Sequence, residues 1–175
     1  RLQDCGVRAK QPARAAGRGR QGTVYNSRAA RLPRARGQAL AARTRDDAAG
    51  ASSAFALART EIQGNLQDEP DRAESLSVLA MIDAALGRKD EAINEGRRAL
   101  QLLPATKDAI NGPLIAEYLA VTYAWVGERE AALEQLKIAV KLPSDLGYGQ
   151  LKLHPFWASL RCYPEFEKIV VALCT

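Results

Sequence analysis

Histidine, cysteine and aromatic residues are scarce in this sequence. Its 175 residues include one histidine, His154, three cysteines and only 6% aromatic residues. A site with two histidine ligands is therefore excluded, and Cys162 and Cys174 are too far apart in sequence for a zinc motif. These two cysteines could approach each other, but we expect buried or idle thiols and hence a reducing, cytoplasmic compartment. We expect no metal and no cofactor.

Long apolar runs are also missing. No stretch of 18 apolar residues occurs, so the sequence predicts no transmembrane helix and no membrane partner. The basic N-terminus is not followed by the apolar segment of a secretory signal. Because the chain begins with Arg1 rather than Met, we expect a fragment or a processed product.

Charge is spread unevenly along the chain. Residues 1–50 hold 12 Lys or Arg against 3 Asp, whereas residues 51–175 hold 13 Lys or Arg against 17 Asp or Glu. Residues 1–34 are rich in Arg, Ala and Gly, which predicts a poorly ordered segment. Three interpretations stay open: an arm for nucleic acid or an acidic partner, a solvated tail, or GC-rich DNA translated in a shifted frame.

From about Ala35 onward the sequence favours helices, because Ala and Leu dominate it and both have high helix propensity. Helical spacing predicts helices at 35–45, 49–67, 72–87, 89–103, 113–127 and 129–142, and two short ones at 154–160 and 164–173. Within 49–67, one face carries Ala51, Phe55, Ala58 and Ile62. Gly87 is placed to end one helix, and Pro113 to begin another.

Two segments repeat each other at a distance of 40 residues. GRKDEAINEGRRALQLLP begins at Gly87, and GEREAALEQLKIAVKLP begins at Gly127. In this alignment Ala92 corresponds to Ala132, and Ala99 to Ala139. We interpret each unit as two antiparallel helices joined by a glycine turn, with small residues where the helices cross closely. Stacked units bury the apolar face that one hairpin cannot bury alone.

These positions resemble the tetratricopeptide repeat family. One unit is matched by Leu76, Leu79, Ala80, Ala92, Gly96, Ala99 and Pro104, and the next by Leu119, Ala120, Tyr123, Ala132, Leu136, Ala139 and Pro143. The resemblance implies an all-α solenoid of stacked helix hairpins, with units at about 36–67, 72–104 and 113–143. Asp83 and Gly96 depart from it, because the family usually has aromatic residues there, and the period of about 40 exceeds the family's 34.

The last part of the chain narrows the resemblance. YGQLKLHPFWASLRCYPEFEKIV is similar to a tail of bacterial tetratricopeptide proteins. That similarity implies the C-terminal part of a larger regulatory protein, with a kinase, cyclase or winged-helix domain upstream. Residues 144–175 are expected to form a tail and a capping helix, with Trp157 wedged between that helix and the last repeat. The apolar face of the helix is Phe166, Ile169, Val170 and Leu173.

In tetratricopeptide proteins the first helix of each unit lines a concave groove that binds a partner. The positions that the resemblance implies here are Glu74, Ser77, Met81 and Ala84 from one unit, and Leu114, Glu117, Tyr118, Val121 and Trp125 from the next. For Tyr118 and Trp125 a core role is equally open. The family's carboxylate clamp of Lys and Asn is missing, so we expect an amphipathic helix or an apolar peptide as partner. The chain's own helix near 36–45 is another possible occupant.

A non-enzymatic scaffold for protein–protein interaction is therefore the predicted function. The alternative is a nucleic-acid-associated protein that uses the Arg-rich arm. An enzyme ranks third, because His154 is expected to be structural and the paired carboxylates at helix starts are interpreted as caps. GRGRQG, at 17–22, lacks the strand and helix of a phosphate-binding loop.

Overall fold

The computed structural model describes residues 48–144 and 146–173. The basic segment 1–34 and the helix predicted at 35–45 lie outside these ranges. Inside them the chain is helical and contains no strand, which confirms the predicted all-α class. The α-helices are α1 (Ala48–Asp68), α2 (Ala73–Ala85), α3 (Lys89–Leu102), α4 (Asn111–Trp125), α5 (Arg129–Ala139), α6 (Tyr148–Leu153) and α7 (Pro164–Ala172), with a 3-10 helix at Pro155–Trp157.

Neighbouring helices pack against one another along the chain. Helices α2 and α3 form one hairpin and α4 and α5 form the next, and α4 also packs against α2 and α3. Helix α1 lies against α2 through the predicted apolar face, whose residues Ala51, Phe55, Ala58 and Ile62 are all buried. In the part of the chain that the structure describes, no helix is both long and apolar enough to cross a bilayer.

Both hairpins turn at a glycine in the left-handed region. Gly87 has φ +78° and Gly127 has φ +85°, a backbone conformation that favours glycine. The next backbone N–H then donates to a carbonyl five residues earlier, from Arg88 to Asp83 at 2.8 Å and from Glu128 to Tyr123 at 2.9 Å. The predicted glycine turn is thereby confirmed in both units.

Small residues occupy the close crossings between helices. Ala80 and Ala92 in the first hairpin, like Ala120 and Ala132 in the second, are 0% exposed. Gly96 also lies at a close crossing, since a Cβ atom added to it would lie 2.9 Å from Leu119 Cδ1. The structure confirms that the 40-residue repetition of small residues reflects helix packing.

The start of α4 and the end of α5 differ from the sequence prediction by two or three residues. Helix α4 begins at Asn111, before Pro113, because the Asp108 carboxylate accepts hydrogen bonds from the backbone N–H groups of Ile110 and Asn111, both at 2.8 Å. Helix α5 ends at Ala139 rather than at 142. Pro143 disfavours helical geometry in the residue that precedes it. The chain therefore leaves the helix through a turn.

The C-terminal segment shares the main core. Trp157 and Val170 are 0% exposed, Phe166 is 1% exposed, and the rings of Trp157 and Phe166 lie 6.4 Å apart. These side chains belong to the buried cluster that also contains Leu133 and Leu136 of α5. Helix α7 packs on both α5 and α6, so the last helix is held against the second hairpin.

Cys162, in the turn before α7, forms a disulfide. The prediction of an idle thiol at this position is therefore wrong. The other two cysteines, Cys5 and Cys174, lie outside the described residues. The expectation of a reducing, cytoplasmic compartment was based on unpaired thiols, and Cys162 does not support it.

Candidate functional site

The predicted groove residues fall into two groups by burial. Ser77, Met81, Ala84, Tyr118 and Val121 are buried, with at most 8% of each residue exposed. Their side chains contribute to packing in this structure and are not available to a partner. The reason lies in α2 and α4, each of which buries 11 residues and is apolar on nearly every side. Helical spacing alone therefore could not separate a groove face from a core face.

Four of the predicted positions retain contact with solvent, and we call them the first-helix surface: Glu74, Leu114, Glu117 and Trp125. Leu114 is 42% exposed, whereas the other three are half-buried. Glu74 and Leu114 are 40 residues apart and lie near the starts of α2 and α4, which pack together. An exposed leucine beside carboxylates gives this surface its mixed apolar and acidic character.

Trp125 connects three parts of the fold. Its ring meets Phe55 of α1 edge-on at 6.4 Å and Phe156 of the 3-10 helix at 5.5 Å. Its indole Nε1–H donates a hydrogen bond to the Phe156 carbonyl at 3.1 Å. Of the two roles left open for Trp125, these contacts support a structural one, so Leu114 is the better probe of binding.

One carboxylate is fully buried in the helical core. Asp83, which stands where an aromatic residue is usual, is 0% exposed. Its oxygens accept hydrogen bonds from Arg59 Nε at 2.6 Å and from Arg59 Nη2 at 3.3 Å. Arg88 Nε lies 3.4 Å away, and the bond to Asp83 raises the pKa of Arg59. Two guanidinium groups thus compensate for a charge that burial would otherwise make costly.

Glu95 of α3 adds a second carboxyl group to this cluster. Burial, followed by the negative charge of Asp83, raises the pKa of Glu95 to about 8, and Glu91 acts in the same direction. The positive charge of Arg59 on α1 opposes the shift. A hydrogen bond with the Asp83 side chain also raises the pKa of Glu95. These surroundings therefore favour the protonated form of Glu95.

An open groove of about 550 Å³ lies beside Glu95, between α1 and α3. Its lining includes Gln63, Leu66, Leu79, Asn94 and Arg98. The sequence analysis missed this cluster of Arg59, Asp83 and Glu95. An aspartate on the apolar face of α2 was the signal that could have indicated a buried ion pair.

His154 has a structural role in the tail. Its Nδ1 atom accepts a hydrogen bond from the Phe156 N–H at 3.3 Å, and the two rings meet edge-on at 4.1 Å. It thereby caps the 3-10 helix. Across residues 48–144 and 146–173, no group of three or more His, Cys, Asp or Glu residues is arranged to hold a metal ion.

Comparison with protein-family models, with curated proteins and with solved structures gave no match. The structure itself shows an all-α chain with two similar hairpins and a packed C-terminal helix. The resemblance to tetratricopeptide proteins therefore rests on the residues of this chain alone.

Proposed function

We propose that this chain is a non-enzymatic helical-repeat module of the tetratricopeptide type that binds another protein. The observation that supports the proposal is the doubled hairpin: Gly87 and Gly127 form the same turn, and Ala92 and Ala132 are buried at the same position. Repeats of this kind stack into extended surfaces that serve recognition. In keeping with the resemblance of its tail, the module would belong to a larger bacterial regulatory protein.

The first-helix surface is the proposed binding site, and an amphipathic helix or an extended apolar peptide is the proposed partner. Leu114 offers an exposed apolar anchor, and Glu117 lies one turn further along α4. From Leu114 to Trp125 the helix rises by about 16 Å, the length of a three-turn peptide helix. An apolar side chain on Leu114, flanked by a basic group facing Glu117, would complement this surface.

A quantitative pull-down tests the proposal. Tagged chain carrying Leu114→Glu is compared with wild type and with Leu57→Glu, which changes a leucine of α1 that is 70% exposed. We expect at least one protein to be retained by wild type and Leu57→Glu and lost with Leu114→Glu. Equal retention by all three chains would contradict the proposed surface, provided that their thermal unfolding is alike.

A further inference from the structure

A second groove lies at the C-terminal end of the helical stack, between α5 and α7. We call it the terminal groove. It measures about 530 Å³ and is lined by Lys137, Val140, Lys141, Glu165, Lys168, Ile169, Ala172 and Leu173. It shares no residue with the first-helix surface, so the two surfaces can be tested separately.

The floor of the terminal groove is apolar. Ile169 is buried, and Val140 and Leu173 are partly buried against the main core. Two further apolar side chains on the same helices, Ile138 and Val171, are each 55% exposed. The final pair of packed helices thus leaves apolar surface uncovered, which is the property of a surface that receives another element.

The rim of the terminal groove is basic. Three lysines, Lys137, Lys141 and Lys168, stand against one acid, Glu165. Lys137 has only a long, exposed ion pair, with its Nζ 3.9 Å from Glu134 Oε1. This positive rim is a local exception, because residues 51–175 contain 17 acidic and 13 basic side chains. Its charge therefore does not follow from the general composition of the repeats.

An apolar floor between lysines fits one class of occupant best. We propose that the terminal groove binds an acidic amphipathic helix of a partner protein, whose apolar stripe covers Ile169 and Leu173 and whose carboxylates face the lysines. Opposite charge across the rim favours encounter and orients the helix. The net positive charge of residues 1–50, with 12 Lys or Arg against 3 Asp, disfavours that segment as the occupant of a groove with a lysine rim.

The test uses a fluorescein-labelled helical peptide of about 15 residues with leucines at i, i+3 and i+4 spacing and glutamates on both flanks. Its binding to the full chain is followed by fluorescence anisotropy. We expect saturable binding, weakened about tenfold or more by Lys141→Glu combined with Lys168→Glu, since each exposed attraction becomes a repulsion. Lys107→Glu reverses the charge of one lysine outside the groove and is expected to leave binding unchanged.

A peptide with lysines in place of the glutamates is the control for the partner's charge. Equal binding of both peptides, or equal binding of the acidic peptide to wild type and to the Lys141→Glu, Lys168→Glu chain, would overturn the proposal. So would a chain that binds no peptide but dimerises in sedimentation equilibrium and loses the dimer with Leu173→Asp, which changes a residue of the groove, because the groove would then join two copies. Failure here leaves the Leu114 experiment intact.

Discussion

At the scale of single residues, the most informative position is Asp83. A carboxylate with no solvent exposure is stable there because Arg59 binds both of its oxygens and Arg88 lies close by. In the sequence, Asp83 follows the buried Leu76 and Leu79 at helical spacing. That spacing could not supply the partner, because Arg59 is 24 residues away and belongs to another helix.

Removal of Arg59 should reveal the free-energy cost of burying the Asp83 carboxylate. We expect Arg59→Met to lower the free energy of unfolding by about 2–3 kcal/mol, because Asp83 keeps only its longer contact with Arg88. Arg98→Met is the matched control: Arg98 pairs with Asp71, and both side chains are more than half exposed. The control should change stability by less than about 1 kcal/mol. If both variants lose the same free energy of unfolding in urea, the buried pair contributes no more to stability than the exposed pair.

Glu95 should make stability depend on pH. Its folded pKa of about 8 exceeds the ordinary 4.5, so above pH 4.5 the unfolded chain releases a proton that the folded chain keeps. This contribution is fully present below pH 4.5 and is lost as pH rises through 8. Between pH 6 and pH 9 we expect the free energy of unfolding of wild type to fall by about 1 kcal/mol more than that of Glu95→Gln. This value is reduced because solvent screens the partly exposed side chain.

The matched control for this pH experiment is Glu130→Gln, which neutralises an exposed carboxylate at the start of α5. Between pH 6 and pH 9 its free energy of unfolding in urea should change in parallel with that of wild type. Parallel pH profiles for wild type and Glu95→Gln would show that the pKa of Glu95 is not raised in the folded chain.

At the scale of helices, the spacing of small residues was the strongest predictor. Ala80, Ala92, Ala120 and Ala132 recur after 40 residues because each marks a close crossing, and that geometry follows from side-chain size alone. Capping was harder to predict. Asp108 starts α4 through hydrogen bonds from two backbone N–H groups, and such bonds leave no periodic signal in the sequence.

Gly96 allows a direct test of the close crossing. In the tetratricopeptide pattern that the sequence resembles, a large residue usually stands at this position. A Cβ atom on residue 96 would nevertheless lie 2.9 Å from Leu119 Cδ1. We therefore expect Gly96→Leu to lower the free energy of unfolding by about 2–3 kcal/mol through overpacking. Gly64→Ala, in open space on α1, should instead raise it by about 0.5–1 kcal/mol, since alanine favours helix. A stabilising Gly96→Leu would contradict the described crossing.

At the scale of the whole molecule, substitutions in the tail test whether the C-terminal segment stabilises the rest of the fold. Trp157 is 0% exposed and joins the core that contains the second hairpin, whereas Leu153, in the same tail, is 78% exposed. We expect Trp157→Ala to lower the free energy of unfolding by about 3–5 kcal/mol. Leu153→Ala should change it by less than about 0.5 kcal/mol. A loss below about 1 kcal/mol for Trp157→Ala would show that the tail is not docked.

The candidate site was less predictable than the fold, for a physical reason. Apolar patterning shows which side chains are removed from water. Because α2 and α4 are apolar on almost all sides, the pattern alone could not show whether Met81 and Val121 line a groove or belong to the core. The terminal groove was missed because it forms between residues far apart in sequence, such as Lys137 and Lys168. Only the packing of α7 on α5 brings these charges together.

We infer that the helical repeats, and not the basic N-terminal segment, carry the binding function. The most direct measurement is a quantitative pull-down with the full chain and with residues 35–175, at low and at high salt, after both chains show the same helical melting. We expect both chains to retain the same protein, with little effect of salt. Retention lost on removal of residues 1–34, or nucleic acid bound by the full chain alone and released steeply by salt, would contradict it.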